Sequence, residues 1–471
     1  MTPEGLTGAR VVVLGLGVDN LAALPTVVAA EPARLVAAVD APDAVSVEDR
    51  AVADAAAVEV LGSDQVVDWL AASGGRAPGS RADAPLVVVR APGYPRRGAL
   101  AGELESIGAS FTTAVDLWMG AHGAERPVIG ITGTKGKSTV TALLDELLTV
   151  MGVDHVVGGN IGLPIWAQAA DPPPGVPAVI EVSSYMAADA HHPPTIGVLT
   201  SLDADHLTWH GSVEAYRRDK LHLFTGGTPA PNVVLAPAGD VVARGALEAT
   251  GLAVEAVHPE AARFVAPVRR LVERGQPAHQ GTNLALAAVA ADRLCELLRR
   301  PGPAAEQLLA LAERFEGLPS RHSTISHRGE VRWIDDALAS NPFAAAAALD
   351  SVGAAPVAWL IGGQSREVAL DPMCDALRRR SDAPTLLIGL PDTGPTWCRE
   401  LVARCHPGGE EPAGIVASRV AASLAEAVGL AADELPAGGV VLFAPGAPTP
   451  PRLGTYQDRA AAFADAIGAL G

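Results

Sequence analysis

The sequence predicts an α/β protein of three domains in series, each organised around a parallel sheet. Three observations lead there. Short β-branched runs alternate with apolar helical stretches in three successive segments, the pattern of strands joined by crossover helices. The opening strands of the first two segments run into glycine-spaced turns and then into helices, as nucleotide-binding sheets do. The 471 residues exceed what one hydrophobic core organises. The expected domains are 1–115, 116–317 and 318–471, with Rossmann-like first and last domains and a P-loop ATPase-like one between them.

The first domain opens with Arg10-Val11-Val12-Val13-Leu14-Gly15-Leu16-Gly17, an apolar helical stretch to Ala30, and Leu35-Val36-Ala37-Ala38-Val39-Asp40. Strand, Gly-x-Gly, helix and a strand ending in Asp form a mononucleotide-binding half. Asn20 stands where the dinucleotide fingerprint has its third glycine, which argues against a nicotinamide cofactor. The Gly- and Pro-rich stretch from Ser73 to Pro85 reads as a surface loop.

The second domain carries the most informative stretch. After Val128-Ile129-Gly130-Ile131 comes Thr132-Gly133-Thr134-Lys135-Gly136-Lys137-Ser138-Thr139. A strand ending in such a turn and entering a helix at Lys137 aims backbone N–H groups and a helix N-terminus into one concavity, a site for phosphate. Lys137 would neutralise the outer phosphates of a nucleoside triphosphate, and the Ser138 hydroxyl would reach a bridging Mg2+. A strict P-loop has Gly where this chain has Ile131. The helix should run to about Met151, and strands follow at Ala178–Val182 and Ile196–Thr200. Their carboxyl ends place Glu181, Asp205 and His206 on the rim of the phosphate loop. A buried strand-end carboxylate is costly without a cation, and metal bound to ATP phosphates would supply one. The bland alternatives are a strand-end Glu paired with a surface lysine, and a satisfied core histidine. The third domain should start near Pro319, with strands at Val331–Ile334, Val357–Ile361, Thr385–Ile388 and Val440–Phe443. Long connections near 113–125 and 314–320 suggest closure of the domains on substrate.

Composition narrows the function. Hydrophobic residues make up 49% and charged ones 19%, a folded composition. The net charge of −18 argues against nucleic acid as a partner. No apolar run is long enough to span a membrane and no signal-peptide pattern opens the chain, so a cytoplasmic protein is expected. Cys295, Cys374, Cys398 and Cys405 lack Cys-x-x-Cys spacing and are expected as buried apolar side chains rather than zinc ligands or disulfides.

The motif set as a whole resembles the Mur ligases of peptidoglycan precursor synthesis: the phosphate loop, Gly159-Asn160-Ile161-Gly162, Glu181-Val182-Ser183-Ser184, Asp205-His206, Tyr216-Arg217-x-x-Lys220, Gly317-Leu318-Pro319-Ser320-Arg321-His322 and Trp333-Ile334-Asp335-Asp336. The likeness spans the chain in order. It implies three domains that bind a UDP-sugar, ATP and an amino acid, and an ATP-dependent addition of glutamate to UDP-N-acetylmuramoyl-L-alanine. The substrate carboxylate would attack the γ-phosphate, and the glutamate amine would then displace phosphate from the acyl phosphate. By the same likeness Lys137, His206 and Lys220 are catalytic. Ser138 and Glu181 would hold one Mg2+, and His206 and Lys220 a second, with Lys220 carbamoylated, because an ammonium cannot ligate a metal. Tyr216 and Lys220 lie one helical turn apart and would face the site together.

The resemblance assigns Thr132 to Thr139, Asn283, Arg321 and Asp336 to ATP, and Asn160 and Ser183 to the muramoyl group. Gly17, Val18 and Asp40 would meet the uridine diphosphate, with Ala91-Pro92-Gly93 on the rim. Gln280 stands where the family usually has Asn. A monomer acting on small molecules is expected. A ligase of the same family that adds D-glutamate, a folate polyglutamate synthase and a non-catalytic ATP-binding regulator are the rival readings. The enzymes of the family that add D-glutamate carry Asp-Ser-Lys-Ala-Thr-Asn where this chain reads Asp336-Ala337-Leu338-Ala339-Ser340-Asn341, so Leu338 removes a cationic anchor. Arg366 replaces a second lysine, and a guanidinium aims differently at a carboxylate. Ser340, Arg366, Thr449 and Tyr456 are therefore expected to line a pocket for L-glutamate.

Overall fold

Three sheets carry the chain, and each places its strand ends at a loop cluster of interest. The computed structural model describes residues 1–72, 84–162, 164–167, 172–364, 369–404 and 415–470. Most of the expected surface loop from Ser73 to Pro85, together with Arg366 and Cys405, lies outside the described residues. The described chain forms two compact units, Met1–Phe315 and Glu316–Gly471.

The first sheet joins β1 (Arg10–Leu14), β2 (Arg34–Val39), β3 (Glu59–Gly62), β4 (Leu86–Arg90) and β5 (Ser110–Thr112) in the order β3-β2-β1-β4-β5, all parallel. The second joins β6 (Val128–Thr132), β7 (Val156–Gly159), β8 (Ala178–Glu181), β9 (Ile196–Leu199), β10 (Val233–Pro237) and β11 (Val254–Val257) in the order β11-β10-β9-β6-β8-β7, again all parallel. Such strands are covered on both faces, which is why they read as unbroken apolar runs. Ile129 and Ile131 of β6 face one core, with Leu143, Leu144 and Leu147 of the helix Lys137–Val150; Val128 faces the other. The helix Gln280–Leu297 buries an uninterrupted run from Leu284 to Ala291 against the first of these cores. Its alanines present little bulk to the neighbouring elements.

The connection at 113–125 is not an open linker. It folds as the helix Ala114–His122, capped by the Thr113 hydroxyl, which accepts from Asp116 N at 3.2 Å. Val115, Trp118 and Met119 pack beneath the second sheet while Leu117 packs into the core of the first. The expected boundary at 115/116 thus falls inside a helix that both cores share.

The second unit is built on β12 (Ser323–Arg328), β13 (Val331–Asp335), β14 (Val357–Ile361), β15 (Thr385–Gly389), β16 (Ile415–Val420) and β17 (Val440–Phe443), ordered β12-β13-β17-β14-β15-β16. The four strands expected here are present within a residue of their predicted ends. This sheet departs from the expected all-parallel layer. β12 pairs antiparallel with β13 through a two-residue hairpin whose Gly329 takes φ +57°. Its polar, largely exposed residues gave no apolar run to find, as suits an edge strand. Side chains alternate between two cores, Trp359 on one face and Ala358 and Leu360 on the other. Cys295, Cys374 and Cys398 are free and buried, as expected.

Candidate active site

The phosphate-loop segment leaves β6 between β9 and β8, at the carboxyl edge of the second sheet. Gly133 has φ +154°, and a Cβ there would stand 1.9 Å from Thr200 Oγ1, so only glycine lets the loop lie against the end of β9. The loop is tied to that strand. Thr134 N donates to Ser201 O at 3.0 Å, Lys135 N to Ser201 Oγ at 2.9 Å, and the Thr200 hydroxyl to Lys135 O. Thr134 Oγ1 pairs with Tyr216 OH at 2.8 Å. Gly136, at φ +86°, turns the chain into the helix Lys137–Val150. Ser138 and Thr139 are buried in its first turn, and Thr132 is buried at the end of β6.

Two ammonium groups converge on one carbonyl. Lys137 Nζ donates to Gly133 O at 2.9 Å and to Thr134 O at 3.2 Å, and Lys220 Nζ donates to the same Gly133 O at 2.8 Å. Lys220 is fully enclosed on the helix Val213–Thr225, one turn after buried Tyr216. Burial, reinforced by the Lys137 charge, pushes its amine well below the ordinary lysine range.

Glu181 ends β8 in register with Ile131 and is fully buried. Its Oε1 accepts from Asn160 Nδ2 at 2.7 Å, while Oε2 is buried and has no partner. An unpaired carboxylate oxygen in that position is costly unless a cation meets it. That orphaned acceptor fits the expected Mg2+. Among the described residues no group of three His, Cys, Asp or Glu side chains is gathered to hold a metal. The expected set of Ser138, Glu181, His206 and Lys220 contains only two such side chains, so a further ligand must come from substrate, water or a modified Lys220. Asn160 follows Gly159, whose φ of +95° and contact with Glu181 O exclude a side chain.

His206 sits at φ +51° as the N-cap of the short helix Leu207–His210, its ring 5.0 Å from that of Tyr185. Burial lowers its imidazole to about 4; Asp205, 3.8 Å away, opposes this, while Lys137, Lys135 and Lys220 add to it. It is therefore neutral at pH 7 and able to accept or ligate. Ser183 caps the helix Ser184–Ala187 by accepting from Met186 N at 3.2 Å. Asn283 lies against the loop: a Cβ on Gly136 would come within 2.7 Å of its Oδ1. Gln280 holds it, accepting from Asn283 Nδ2 at 2.8 Å.

On the first sheet, Gly15 takes φ +85° against Ala91, and Gly17 and exposed Val18 open the helix Val18–Ala29. Asp40 Oδ1 accepts from Ser63 Oγ at 2.8 Å and Tyr94 OH at 2.9 Å. Asn20 is buried and donates to Gly15 O at 2.8 Å and Val89 O at 3.3 Å, fastening the glycine turn between β1 and β4. The sequence marked Asn20 only as a missing glycine.

Ionic bridges join the layers of the first unit, and none was foreseen. Arg90 Nε donates to Asp189 Oδ2 at 2.7 Å. Arg97 donates to both oxygens of Asp219 at 2.7 Å. Asp219 Oδ2 also meets His210 Nδ1 at 2.7 Å, and His210 Nε2 meets Ser184 Oγ at 3.0 Å. The chain of contacts thus runs from the first sheet to the residue beside Lys220 and the residue beside Ser183. Scattered charged residues give no sequence signal for it.

In the second unit, Asp336 follows β13 and its Oδ1 accepts from His322 N at 3.2 Å; Arg321 stands next to it in sequence order before β12. Ser340 precedes Asn341, which caps the helix Pro342–Ser351 by accepting from Ala344 N at 2.9 Å. Thr449 follows β17, and Tyr456 begins the helix Tyr456–Gly468. Arg459 of that helix is buried.

Residues 131–258 match the Mur ligase middle domain. The chain is 32% identical to a UDP-N-acetylmuramoyl-L-alanine--L-glutamate ligase of a Micromonospora species, over 99% of this chain and 98% of the relative. A ligase of the same name from Salinispora tropica is also 32% identical, over 99% of each chain. The fold is similar to that of MurF from Acinetobacter baumannii, with a TM-score of 0.52 at 15% identity, covering 99% of this chain and 92% of that one. Among the described residues no helix is long and apolar enough to cross a membrane. A phosphate loop with two lysines on one carbonyl, an unpaired buried carboxylate beside it, and full-length relatives at this identity have one common reading: the chain belongs to the Mur ligase family.

Proposed function

We propose that this protein joins L-glutamate to UDP-N-acetylmuramoyl-L-alanine at the cost of ATP, forming ADP and phosphate, in the peptidoglycan precursor synthesis on which cell shape and division depend. It does so in the cytoplasm as a monomer. The observation that carries this reading is identity across the whole length of relatives bearing that activity in their names.

The residues supply what the chemistry needs. The loop N–H groups and the helix at Lys137 receive the phosphates, and the Lys137 ammonium offsets charge on the transferring phosphoryl group. Arg321 serves the γ-phosphate, and Asn283 and Asp336 the nucleoside. Asn160 and Ser183 orient the muramoyl part of the substrate, and Gly17, Val18 and Asp40 its uridine diphosphate. Ser340, Arg366, Thr449 and Tyr456 receive glutamate. Ser138, Glu181, His206 and Lys220 would hold Mg2+, which when bound offsets the negative charge of the phosphates and the forming acyl phosphate.

Lys220 acts as a carbamate. Burial disfavours the ammonium form of Lys220, and its deprotonated amine is a nucleophile for carbon dioxide: the nitrogen bonds the carbon, one proton leaves, and the product carries a carboxylate-like charge. The remaining N–H keeps the bond to Gly133 O that Nζ makes. Lys220→Ala should be nearly inactive and partly restored by short carboxylates. Full activity with an unmodified amine at saturating bicarbonate would remove the carbamate from the mechanism.

Phosphate release from ATP should require both UDP-N-acetylmuramoyl-L-alanine and glutamate. Release at the same rate without either, or only with folate, overturns the reading. Parallel assays with the two enantiomers decide the amino acid: a higher specificity constant for D-glutamate sinks the L-glutamate assignment and leaves the ligase intact.

A further inference from the structure

Thr449 Oγ1 and Arg459 Nη1 are among the buried polar atoms of the second unit that have no partner among the described residues. Arg459 is 5% exposed, and its other terminal nitrogen, Nη2, donates to Gly362 O at 2.7 Å. The guanidinium lies against the next residue. A Cβ on Gly363 would stand 3.1 Å from Nη1 and 2.5 Å from Pro448 O. The same Pro448 carbonyl accepts from Gln364 N at 2.9 Å and immediately precedes Thr449. The guanidinium and the residue that precedes Thr449 therefore come together at Gly363, where the loops after β14 and β17 meet. These strands are neighbours although β15 and β16 separate them in sequence, which makes their carboxyl ends a switch point where open sheets receive ligands.

The charge balance points the same way. Burial lowers Arg459 to about 10; Asp392 opposes this and Arg452 adds to it, so the group remains a cation at neutral pH. Asp392 is itself paired with Arg452 at 2.7 Å, and among the described residues no carboxylate is hydrogen-bonded to Arg459. A buried guanidinium with an unused N–H costs stability until an acceptor arrives. The acceptor that matches the planar N–H of a guanidinium is a carboxylate. We propose that Arg459, acting with Thr449, anchors a carboxylate of the incoming amino acid. The assignment rests on the glutamate reading above. It adds a cation in a chain whose Leu338 supplies none.

The test measures steady-state kinetics of Arg459→Lys, Arg459→Gln and Thr449→Ala at saturating ATP and UDP-sugar, with glutamate and its two mono-amides, glutamine and isoglutamine. The expected result is a glutamate KM raised on the order of tenfold or more, with the KM for ATP unchanged. Discrimination between glutamate and one of the amides should fall by a similar factor, and which amide it is names the carboxylate held. Glutamate should also raise the melting temperature of the wild type and not of Arg459→Gln. Folded Arg459 variants with wild-type glutamate KM and discrimination would reduce the residue to a prop for the Gly362 loop and overturn the proposal. Should neither fold, an unchanged glutamate KM in Thr449→Ala overturns it. A wild type that ligates no glutamate at all overturns the function instead.

Discussion

Lys137 and Asp19 show how a single side chain's surroundings set what its loss would do. Lys137 is half-buried and its ammonium is held by carbonyls of its own loop, which makes its role one of charge more than of packing. Lys137→Ala should lower turnover at least a hundredfold, the roughly 3 kcal/mol typical of one such group, with little change in melting temperature. Retention of more than about a tenth of the activity would exclude it from the mechanism. Asp19 lies in the first turn of the helix Val18–Ala29, where burial raises its carboxyl to about 6. An unfolded Asp titrates near 3.9, so between these values the folded chain holds a proton that the unfolded chain has lost. Stability associated with this group is therefore present at low pH and lost as pH rises through about 6. Asp19→Asn should gain stability relative to wild type between pH 4 and pH 7.5. An equal gap in melting temperature at both pH values would show that the carboxyl is not penalised by burial.

At the scale of elements, the loop after β6 is shaped by contacts with a strand far away in sequence. A methyl group on Gly133 has no room beside Thr200 and would force the loop from the end of β9. Gly133→Ala should therefore abolish ATP-dependent turnover and weaken ATP binding at least tenfold, while the two cores that flank β6 keep the protein folded. ATP binding within a factor of two of wild type by calorimetry would refute this. The Gly-Lys-Ser-Thr order, the helix beginning at Lys137 and the strands at 357–361 and 440–443 were legible because backbone chemistry and apolar runs are local. The edge strand β12, the helix Ala114–His122 as a shared element and the caps at Thr113 and Asn341 were not, since each depends on what lies opposite in space.

For the whole molecule, Glu316–Gly471 has its own sheet covered on both faces by its own helices, the condition for independent folding. Expressed alone, it should unfold in one cooperative thermal transition with native helical and strand signal. A fragment without such a transition would show that its cores depend on the rest of the chain. The sequence alone was enough for the α/β class, the phosphate loop, the family and the set of residues expected at the strand ends, because motif spacing and strand periodicity are written in consecutive positions. Only the tertiary structure decided that Lys137 and Lys220 share Gly133 O, that Glu181 keeps one oxygen unpaired, that Arg97 reaches Asp219, and that Arg459 is buried with an unused N–H. The physical reason is that burial and hydrogen-bond satisfaction belong to pairs of residues 80 or more positions apart in several of these cases, as for Lys220 and Gly133 at 87 and Arg459 and Gly362 at 97. No pattern along the chain encodes which distant group a side chain will meet.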